Sequence, residues 1–340
     1  MMTPEVNRIG IIIPKRPHFG AMIIQIPLFL HLREMYPRAR IKVWSPIEDC
    51  SFFLDQGLAD EIYVYKNRKG LTFIRAVRGF HADLLINLGL HSEREHVATL
   101  LSGAAIKLGF EPRSALLKRS YTATCRYFKQ YRALNYMNLF RSYFTKITDS
   151  FAIVRSLKAR SGYELRPAKK PVCFMPGGVE GEFKRWGIGN FIALYRALEA
   201  EGSADFVYFI LGSDEKEYVP EIESGMPPER RAILMNGSLA DIVAIVDAVT
   251  CTVANDCGPS HVAQLLRVNY VALFGWKYES PVETMLEWFH CADNSIALLP
   301  DERKRDIKTI PVAKVKGTVQ LLQRLANRPG GDGTCGENTM

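Results

Sequence analysis

The feature that most constrains the fold is a repeated alternation of short apolar strands and helical patterns. In the second half of the chain, five apolar runs each end in a turn-forming residue: VCFMPGG, DFVYFILGS, RAILMNGS, AVTCTVAND and NYVALFG. The first half repeats the pattern with RIGIII, RIKVW, EIYVY and DLLINLG, separated by helical segments that start near Gly20, Pro46, Gly70 and Ser92. Strands that alternate with helices form parallel sheets covered on both faces. We therefore expect an α/β protein.

The length of the chain predicts two domains. Its 340 residues exceed what one compact core usually serves. The segment SGYELRPAKKP has the proline and the charge of a linker, so we expect two Rossmann-like domains that join near residue 165. The expected parts are an N-terminal domain (1–165) with a basic aromatic insertion (107–160), a second domain (166–310), a C-terminal helix (311–328) and a disordered glycine-rich tail (329–340).

Several function classes are disfavoured by what the sequence lacks. The glycines of GLTFIRAVRG and GGVEGEFKRWGIG do not have the G-x-G-x-x-G spacing of a dinucleotide-binding loop. Seven cysteines without CxxC or Cys/His ligand spacing predict reduced thiols and no metal site. Residues 14–18 divide the one long apolar stretch near the N-terminus, so neither a membrane helix of ~20 residues nor a secretory signal is expected. We therefore expect a cytoplasmic protein.

The positive charge of the chain is concentrated in one segment. The formal net charge is +8, and residues 107–160 carry twelve Lys or Arg against two acids. The same segment contains many aromatics, among them Tyr121, Tyr127, Phe128, Tyr131, Tyr136, Phe140, Tyr143 and Phe144. One interpretation is a set of amphipathic helices with solvated basic faces. The other is a surface for an anionic lipid or a phosphorylated saccharide, and no nucleic-acid motif accompanies the charge.

The segment VANDCGPSHVAQLL has the residues of an anion-binding loop. A strand runs into Asp256, a turn passes Gly258, and Pro259 orders the start of a helix, so free backbone N–H groups face the strand ends. This arrangement suits a phosphate or diphosphate, with Asp256 binding a sugar hydroxyl and His261 donating to the phosphate. Alternatively, Asp256 only caps the helix and His261 is a structural histidine.

A second candidate anion site is FMPGGVEGEFKRWGIGN. Gly177 and Gly178 follow a strand, and Lys184 and Arg185 precede a helix. Lys184 can neutralise a leaving diphosphate. Alternatively, both cations are solvated loop charges and Trp186 only packs. Two further strand ends offer small turn residues, which are Gly212, Ser213, Gly237 and Ser238.

Together these motifs resemble the lipopolysaccharide heptosyltransferases, glycosyltransferase family 9. The order Pro-Gly-Gly…Lys-Arg-Trp, Gly-Ser, Gly-Ser-Leu and Asn-Asp-x-Gly-x-x-His carries the resemblance, which is strong over residues 171–275, fair over the first 90 and poor across 107–165. It implies a GT-B fold, in which two Rossmann-like domains have parallel sheets that face each other across a cleft. The second domain would bind the donor and the first the acceptor. It also implies inverting transfer of heptose from ADP-heptose to the lipopolysaccharide core, with no metal or cofactor.

The resemblance assigns roles to residues of the second domain. Lys184 matches the family lysine that contacts the donor phosphate, Asp256 and Gly258 match the donor-binding loop, and His261 matches its histidine. Cys257 stands where the family usually has Thr or Ser, which removes a strong hydroxyl donor. GWKYESP replaces the family's shorter Gly-Pro-Thr turn, so we expect the donor contacts to differ there.

The resemblance also shows that one group is missing from the first domain. Family members carry an aspartate base directly after a glycine, with a proline six residues beyond it. Here Gly20 and Pro27 keep the spacing, and the residue after the glycine is Ala21. Three explanations compete: His18 is the base, an acceptor phosphate or carboxylate takes the proton, or the chain is a non-catalytic nucleotide-sugar-binding relative. An epimerase of similar fold would react without an acceptor.

A lipopolysaccharide precursor would also give the basic segment a partner. Such an acceptor is membrane-embedded and multiply anionic, and the aromatics of the segment could rest at the lipid interface. The candidate acceptor and membrane contacts are Arg113, Lys118, Arg119, Arg126, Lys129 and Arg132. We therefore expect a protein held peripherally on the cytoplasmic face of the inner membrane, whose donor is ADP-heptose or another nucleotide sugar.

Overall fold

The computed structural model describes residues 5–327, except 17, 49, 91, 148, 179–180, 277–280 and 302–304. The chain divides into two compact units. The first unit is Met1–Ser156 with Leu286–Trp288, and the second unit is Leu157–Met285 with Phe289–Met340. The division therefore falls shortly before the linker that the sequence places near residue 165. The predicted tail at 329–340 lies outside the described residues.

The first unit is built on a parallel sheet of six strands in the order β3-β2-β1-β4-β5-β6. The strands are β1 (Arg8–Ile12), β2 (Arg40–Ser45), β3 (Glu61–Val64), β4 (Leu84–Asn87), β5 (Ile106–Phe110) and β6 (Ala123–Cys125). The helices are α1 (Phe19–Ile23), α2 (Ile26–Met35), α3 (Phe52–Asp55), α4 (Gly70–Gly79), α5 (Glu93–Leu101), α6 (Ala115–Lys118) and α7 (Arg132–Arg141). The order of the strands reverses between β1 and β4, which is where ligands bind in such sheets.

Two expectations for the first unit are wrong. Residues 107–160 are not an insertion that interrupts the sheet, because they supply most of β5 and all of β6, which pair in parallel with the strands before them. The helix expected near Pro46 begins only at Phe52. The Ser45 hydroxyl bonds both the N–H and the C=O of Ile47, and these bonds hold residues 45–47 in a turn.

The second unit repeats the architecture with six parallel strands in the order β12-β11-β10-β7-β8-β9. The strands are β7 (Pro171–Met175), β8 (Phe206–Leu211), β9 (Arg231–Met235), β10 (Cys251–Asn255), β11 (Tyr270–Leu273) and β12 (Ser295–Leu298). The helices are α8 (Ile188–Ala200), α9 (Val219–Gly225), α10 (Leu239–Ala248), α11 (Ser260–Leu266), α12 (Pro281–Trp288) and α13 (Val312–Ala326). The five strands predicted in this half are confirmed as β7 to β11, and the sequence did not predict β12.

The core of the second unit explains why its strands read as continuous apolar runs. The strands β7, β8, β10 and β11 are buried at every position, since helices cover both faces of the sheet. Phe174, Trp186, Phe191 and Phe209 lie in one cluster of buried side chains, to which α13 contributes Val315. With its strands fixed in this way, the unit presents its functional candidates at the carboxyl ends of neighbouring strands.

Candidate functional site

The candidate site of the second unit lies where its parallel strands end. The loop after β7 carries Gly177 and Gly178, the loop after β8 carries Gly212, and the loop after β10 carries Asp256 and Gly258. Because β10, β7 and β8 are neighbours in the sheet, these loops lie side by side along one edge. The strand order reverses between β10 and β7, the position at which doubly wound sheets bind ligands.

Lys184 and Asp256 form an ion pair at this reversal point. Lys184 ends a short 3-10 helix (Glu182–Lys184) in the segment after β7, and its Nζ lies 2.7 Å from Oδ2 of Asp256. The side chains are 14 % and 10 % exposed, so the pair is partly shielded from water but still reached by it. The Lys184 ammonium can bind an anionic ligand, and in this structure its contact with Asp256 holds it at the strand ends.

The pair rests on a buried polar support. Asn255, the last residue of β10, is fully buried, and its Nδ2 donates to the carbonyl of Pro176 over 2.7 Å. Its Oδ1 accepts from the backbone N–H of Trp186 over 3.4 Å. The Trp186 indole is buried and donates to the carbonyl of Ile310 over 2.9 Å, so this tryptophan has the packing role that the sequence left open. The sequence places Asn255 in the Asn-Asp-x-Gly-x-x-His motif, directly before Asp256, but does not indicate this supporting role.

His261 is placed as a buried neutral histidine. It is 2 % exposed, and its Nδ1 lies 3.1 Å from Nε2 of Gln264. Burial lowers the pKa of the imidazole to about 4 and nearby Lys184 adds to that fall, although the Asp256 carboxylate opposes it. These contacts fit the structural interpretation of His261 better than donation to a phosphate.

Cys257 remains a thiol in this loop. Burial raises the pKa of its thiol to about 12, and the Asp256 carboxylate acts in the same direction. Its Sγ donates a weak bond to the carbonyl of Met175 over 3.9 Å, and the Ser260 hydroxyl donates to the Cys257 carbonyl over 2.7 Å. Cys257 therefore helps to fix the loop that leads through Gly258 into α11. Its thiol is only a weak hydrogen-bond donor for a ligand.

The glycine pair after β7 is held by two charged residues. Nε of Arg185 donates to the carbonyl of Gly178 over 3.0 Å. A Cβ on Gly177 would lie 2.8 Å from Oε1 of Glu215, a carboxylate that is 6 % exposed. The other carboxylate oxygen of Glu215 accepts from the Gly212 N–H over 2.8 Å, a bond within the segment that follows β8. The sequence missed Glu215, although its position three residues after Gly212 is typical of a capping glutamate.

The other small residues predicted at strand ends, Ser213, Gly237 and Ser238, make no contact with the Lys184–Asp256 pair among the contacts described here. Ser213 is exposed and begins a 3-10 helix (Ser213–Tyr218). A Cβ on Gly237 would lie 2.3 Å from the Leu234 side chain, so the glycine is required for the turn after β9. The Ser238 hydroxyl accepts from the Asp241 N–H over 3.1 Å and caps α10. These contacts give Ser238 a structural role.

Gly275 fixes the loop after β11 against the segment that carries Lys184. A Cβ on Gly275 would lie 1.7 Å from the carbonyl oxygen of Phe183, which no side chain can tolerate. The backbone of the residue next to Lys184 is therefore packed directly on the end of β11. The sequence recognised GWKYESP as unusual, but residues 277–280 of that segment lie outside the described residues.

In the first unit, the position of the missing base is buried. Ala21 lies in α1 and is 2 % exposed, and its carbonyl accepts from Nε2 of the buried Gln25 over 2.7 Å. His18 is exposed and directly precedes α1, the helix that contains Gly20 and Ala21. This segment follows β1, one of the two strands at the reversal point of this sheet.

A buried polar network lies at the end of the other strand, β4. The Tyr65 hydroxyl donates to Oε1 of Glu95 over 2.7 Å, and Nδ1 of His96 lies 2.7 Å from the Tyr121 hydroxyl. Asn87 extends the second pair, since its Nδ2 donates to the Tyr121 hydroxyl over 3.1 Å. Burial raises the pKa of Glu95, while bonds from Tyr65 and Ser92 oppose the rise. The sequence did not identify this network, because its members are far apart along the chain.

The basic aromatic segment divides into a buried and an exposed part. Seven of its aromatics are buried and cannot meet a lipid surface, which corrects the expectation for Tyr121, Tyr131, Tyr136, Phe140 and Phe144. Arg132 is also wrongly predicted as a surface contact. It is 3 % exposed, pairs with Glu287 and stacks over the rings of Tyr127 and Trp288. The other predicted cations are exposed: Arg113, Lys118, Arg119, Arg126 and Lys129.

Among the residues that the structure describes, no group of three or more His, Cys, Asp or Glu side chains is placed to hold a metal ion. Within the same described ranges, no helix is long and apolar enough to cross a membrane.

The family model for glycosyltransferase family 9 (heptosyltransferase) matches residues 71–304. This match spans the greater part of the chain, including the whole candidate site of the second unit. No curated protein sequence matches the chain.

Several solved structures share the fold. The ADP-heptose lps heptosyltransferase II of E. coli matches with a TM-score of 0.62 and 18 % identity, over 94 % of this chain and 100 % of that one. The E. coli heptosyltransferase WaaC with ADP matches with a TM-score of 0.65 and 14 % identity, over 93 % and 99 %. A UDP-GlcNAc 2-epimerase from Neisseria meningitidis matches with a TM-score of 0.52 and 12 % identity, over 95 % and 94 %. These likenesses confirm the predicted fold class of two Rossmann-like units.

Proposed function

The chain belongs to glycosyltransferase family 9, the heptosyltransferases, and from that membership we propose that it transfers heptose from ADP-heptose to a lipopolysaccharide core acceptor with inversion. In this proposal the second unit binds the nucleotide sugar and the first unit binds the acceptor. The acceptor hydroxyl loses its proton and attacks the anomeric carbon, and the nucleoside diphosphate leaves.

The Lys184–Asp256 pair is the observation that carries the proposal. A leaving diphosphate gains negative charge as the sugar departs, and a lysine held at that point stabilises the charge. The pair stands at the strand reversal of the second unit, between the loop that contains Gly178 and the loop that contains Gly258. Asp256 would exchange its bond to Lys184 for one to a sugar hydroxyl when donor binds.

A donor panel tests this function. Purified protein is incubated with ADP-heptose, ADP-glucose and UDP-GlcNAc, each with and without a lipopolysaccharide core acceptor, and nucleotide release is measured. We expect release from ADP-heptose only when acceptor is present. Release from a different donor would keep the glycosyltransferase and replace the sugar, whereas conversion of a donor without acceptor would favour an epimerase. No turnover of any donor would contradict the proposal.

We propose His18 as the base that takes the acceptor proton in place of the aspartate expected at Ala21. His18 is exposed and directly precedes α1, the helix in which the resemblance places the aspartate. A neutral imidazole can accept a proton at neutral pH, and a positioned base contributes ~10²–10⁴-fold. His18→Ala should therefore lower kcat by at least about a hundredfold. The control is His81→Ala, which removes an exposed histidine far from α1 in the sequence; equal rates in the two variants would show that His18 is not the base.

The burial of Ala21 favours a second candidate, a nucleotide-sugar-binding protein without transferase activity. An alanine that is 2 % exposed is packed as a core residue, and it cannot take a proton. In this case ADP-heptose would bind, Lys184→Ala would weaken that binding, and no donor would be consumed with any acceptor. Binding measured by calorimetry beside the turnover assay separates the two candidates.

We propose that the exposed cations of the basic segment contact the acceptor and the anionic membrane that holds it. Arg113, Lys118 and Arg119 flank Leu116, which is 71 % exposed, and Arg126 and Lys129 flank Phe128, which is 48 % exposed. Exposed apolar residues between cations are suited to an anionic bilayer. The two stretches meet at the ends of β5 and β6, where Glu111 N–H donates to the Cys125 carbonyl over 3.1 Å.

Vesicle sedimentation tests this contact. We expect the protein to sediment with vesicles that contain anionic lipid and to remain in solution with zwitterionic ones. Replacing Arg113, Arg119 and Lys129 with Gln should weaken binding to the anionic vesicles. Replacing Arg68, Arg75 and Lys314 with Gln, which are exposed cations outside the segment, is the control, and equal losses in both triple variants would count against the contact.

A further inference from the structure

A basic cavity lies in the first unit at the amino ends of its strands, on the edge opposite the loops discussed above. It has a volume of about 410 Å³. The lining residues are Arg8, Arg40, Lys42, Glu61, Tyr63, Ala76, Gly79 and Phe80. Since β1 has five residues and spans roughly 16 Å, the cavity is well separated from the loop that contains His18.

The strand register places the cations on one face of the sheet. Arg8 and Arg40 begin β1 and β2 and are direct partners in that parallel pair, so their side chains leave neighbouring strands side by side. Lys42 lies two residues beyond Arg40 on the same face, and its partner on β3 is Glu61. Like charges on neighbouring strand positions repel one another, so this face has an electrostatic cost that a bound anion would relieve.

Glu61 does not neutralise the cavity. Its carboxylate pairs with Arg40 and, over 3.1 Å, with Nζ of Lys42. Arg8 is bonded instead to the carbonyl of Phe80, over 3.3 Å. Three cationic side chains against one carboxylate leave two net positive charges among the described residues that line the cavity.

The aromatic walls keep the lysine in place. Nζ of Lys42 lies 5.4 Å from the centre of the Phe80 ring and 5.9 Å from that of Trp44, and the side chain is 20 % exposed. Arg40 is 61 % exposed and can turn its guanidinium toward a ligand. The cavity therefore combines one ammonium that lies near two aromatic rings with the guanidinium groups of two exposed arginines.

We propose that this cavity binds a phosphate group, either as inorganic phosphate or as a phosphate monoester. Such a group carries about two negative charges at neutral pH, which matches the net charge of the cavity. Guanidinium groups bind phosphate oxygens in bidentate geometry, and two of them stand side by side here. Neither the family membership nor the proposed transfer requires this site, and it is independent of both.

Calorimetric titration at low ionic strength tests the site, with inorganic phosphate and glucose 6-phosphate as probes. We expect saturable binding by the wild type and about tenfold weaker binding by Arg40→Gln, because one charged hydrogen-bonding group is removed. Arg8→Gln should have the same effect. Arg75→Gln, which removes an exposed charge from the adjoining helix α4, is the matched control and should bind as the wild type does. Circular dichroism confirms that each variant is folded.

Lys184→Ala separates this site from the donor site of the second unit. The cavity should bind inorganic phosphate equally in that variant, although the proposed sugar transfer is abolished. Tighter binding of glucose 6-phosphate than of inorganic phosphate would identify the ligand as a monoester that uses the ring of Tyr63, and equal binding would identify the phosphate group alone. The inference is overturned if phosphate does not bind saturably, if Arg75→Gln weakens binding as much as Arg40→Gln, or if Lys184→Ala removes all binding.

Discussion

The coupling between Lys184 and Asp256 can be measured directly. Their charged atoms are 2.7 Å apart, and their side chains are 14 % and 10 % exposed. Removing one partner of a fully buried ion pair costs ~3–5 kcal/mol, because the other charge is left unpaired in a poorly solvating site. Since water reaches this pair, we expect Lys184→Ala and Asp256→Ala each to lower the free energy of unfolding by about 2–3 kcal/mol.

The double variant supplies the magnitude of the coupling. With both charges gone no unpaired charge remains, so the double variant should lose about 2–3 kcal/mol and not the sum of the two losses, a coupling of about 2–3 kcal/mol. Urea unfolding followed by tryptophan fluorescence measures all four proteins. The second unit offers a control pair, Lys308 and Glu182, whose atoms are 2.9 Å apart but whose side chains are 49 % and 70 % exposed. Its coupling should be below about 0.5 kcal/mol. Equal couplings in the two pairs would refute the claim that shielding gives the Lys184 pair its strength.

Three further predictions concern stability. The pKa of His261 is about 4 in the folded chain and near 6.5 in the unfolded chain, so the unfolded chain takes up the proton first as the pH falls. The free energy of unfolding should therefore decrease by up to about 3 kcal/mol as the pH falls from 6.5 to 4. His261→Gln should remove this pH dependence in denaturation measured across the range. Gly275→Ala should lose about 3 kcal/mol or fail to fold because its Cβ meets the Phe183 carbonyl, whereas Gly317→Ala, in open space on α13, should gain about 0.5–1 kcal/mol in the same thermal unfolding assay. Burial raises the pKa of Glu95, so the contribution of the protonated carboxyl group to stability is lost as the pH rises through the folded pKa. Glu95→Gln should therefore match or exceed the wild type in the free energy of unfolding, measured with urea at pH 8.

The sequence predicts most of the fold because buried parallel strands leave a strong pattern. Runs such as VCFM and FVYFIL have apolar residues at every position, and each is followed by small turn residues, so both type and boundary could be read. The strand β5 was missed because Lys107 and Gly109 interrupt its apolar pattern, and β6 because it has only three residues. These strands are defined by pairing with β4, which is information from distant parts of the chain.

The candidate site was predictable to the extent that its residues follow strands. Lys184 and Asp256 were both identified, but their contact depends on β7 and β10 being neighbours, which the sequence does not specify. The sequence was a poorer guide to which charged side chains are buried. Arg132 reads as one more cation of a basic segment, and only the packing of Tyr127 around it shows that it is a core residue.

The burial of Ala21 makes the missing carboxylate hard to restore. An aspartate introduced at this position would enter a site that is 2 % exposed, beside the buried side chains of Met22 and Ile24. A carboxylate without compensating hydrogen bonds is costly there and would be driven toward its protonated form, which is no base. Neighbouring side chains would have to change before an aspartate could help. A single substitution at Ala21 therefore does not restore the aspartate of the relatives as a working base. In evolution or in engineering, the buried side chains that pack around Ala21 would have to be replaced first.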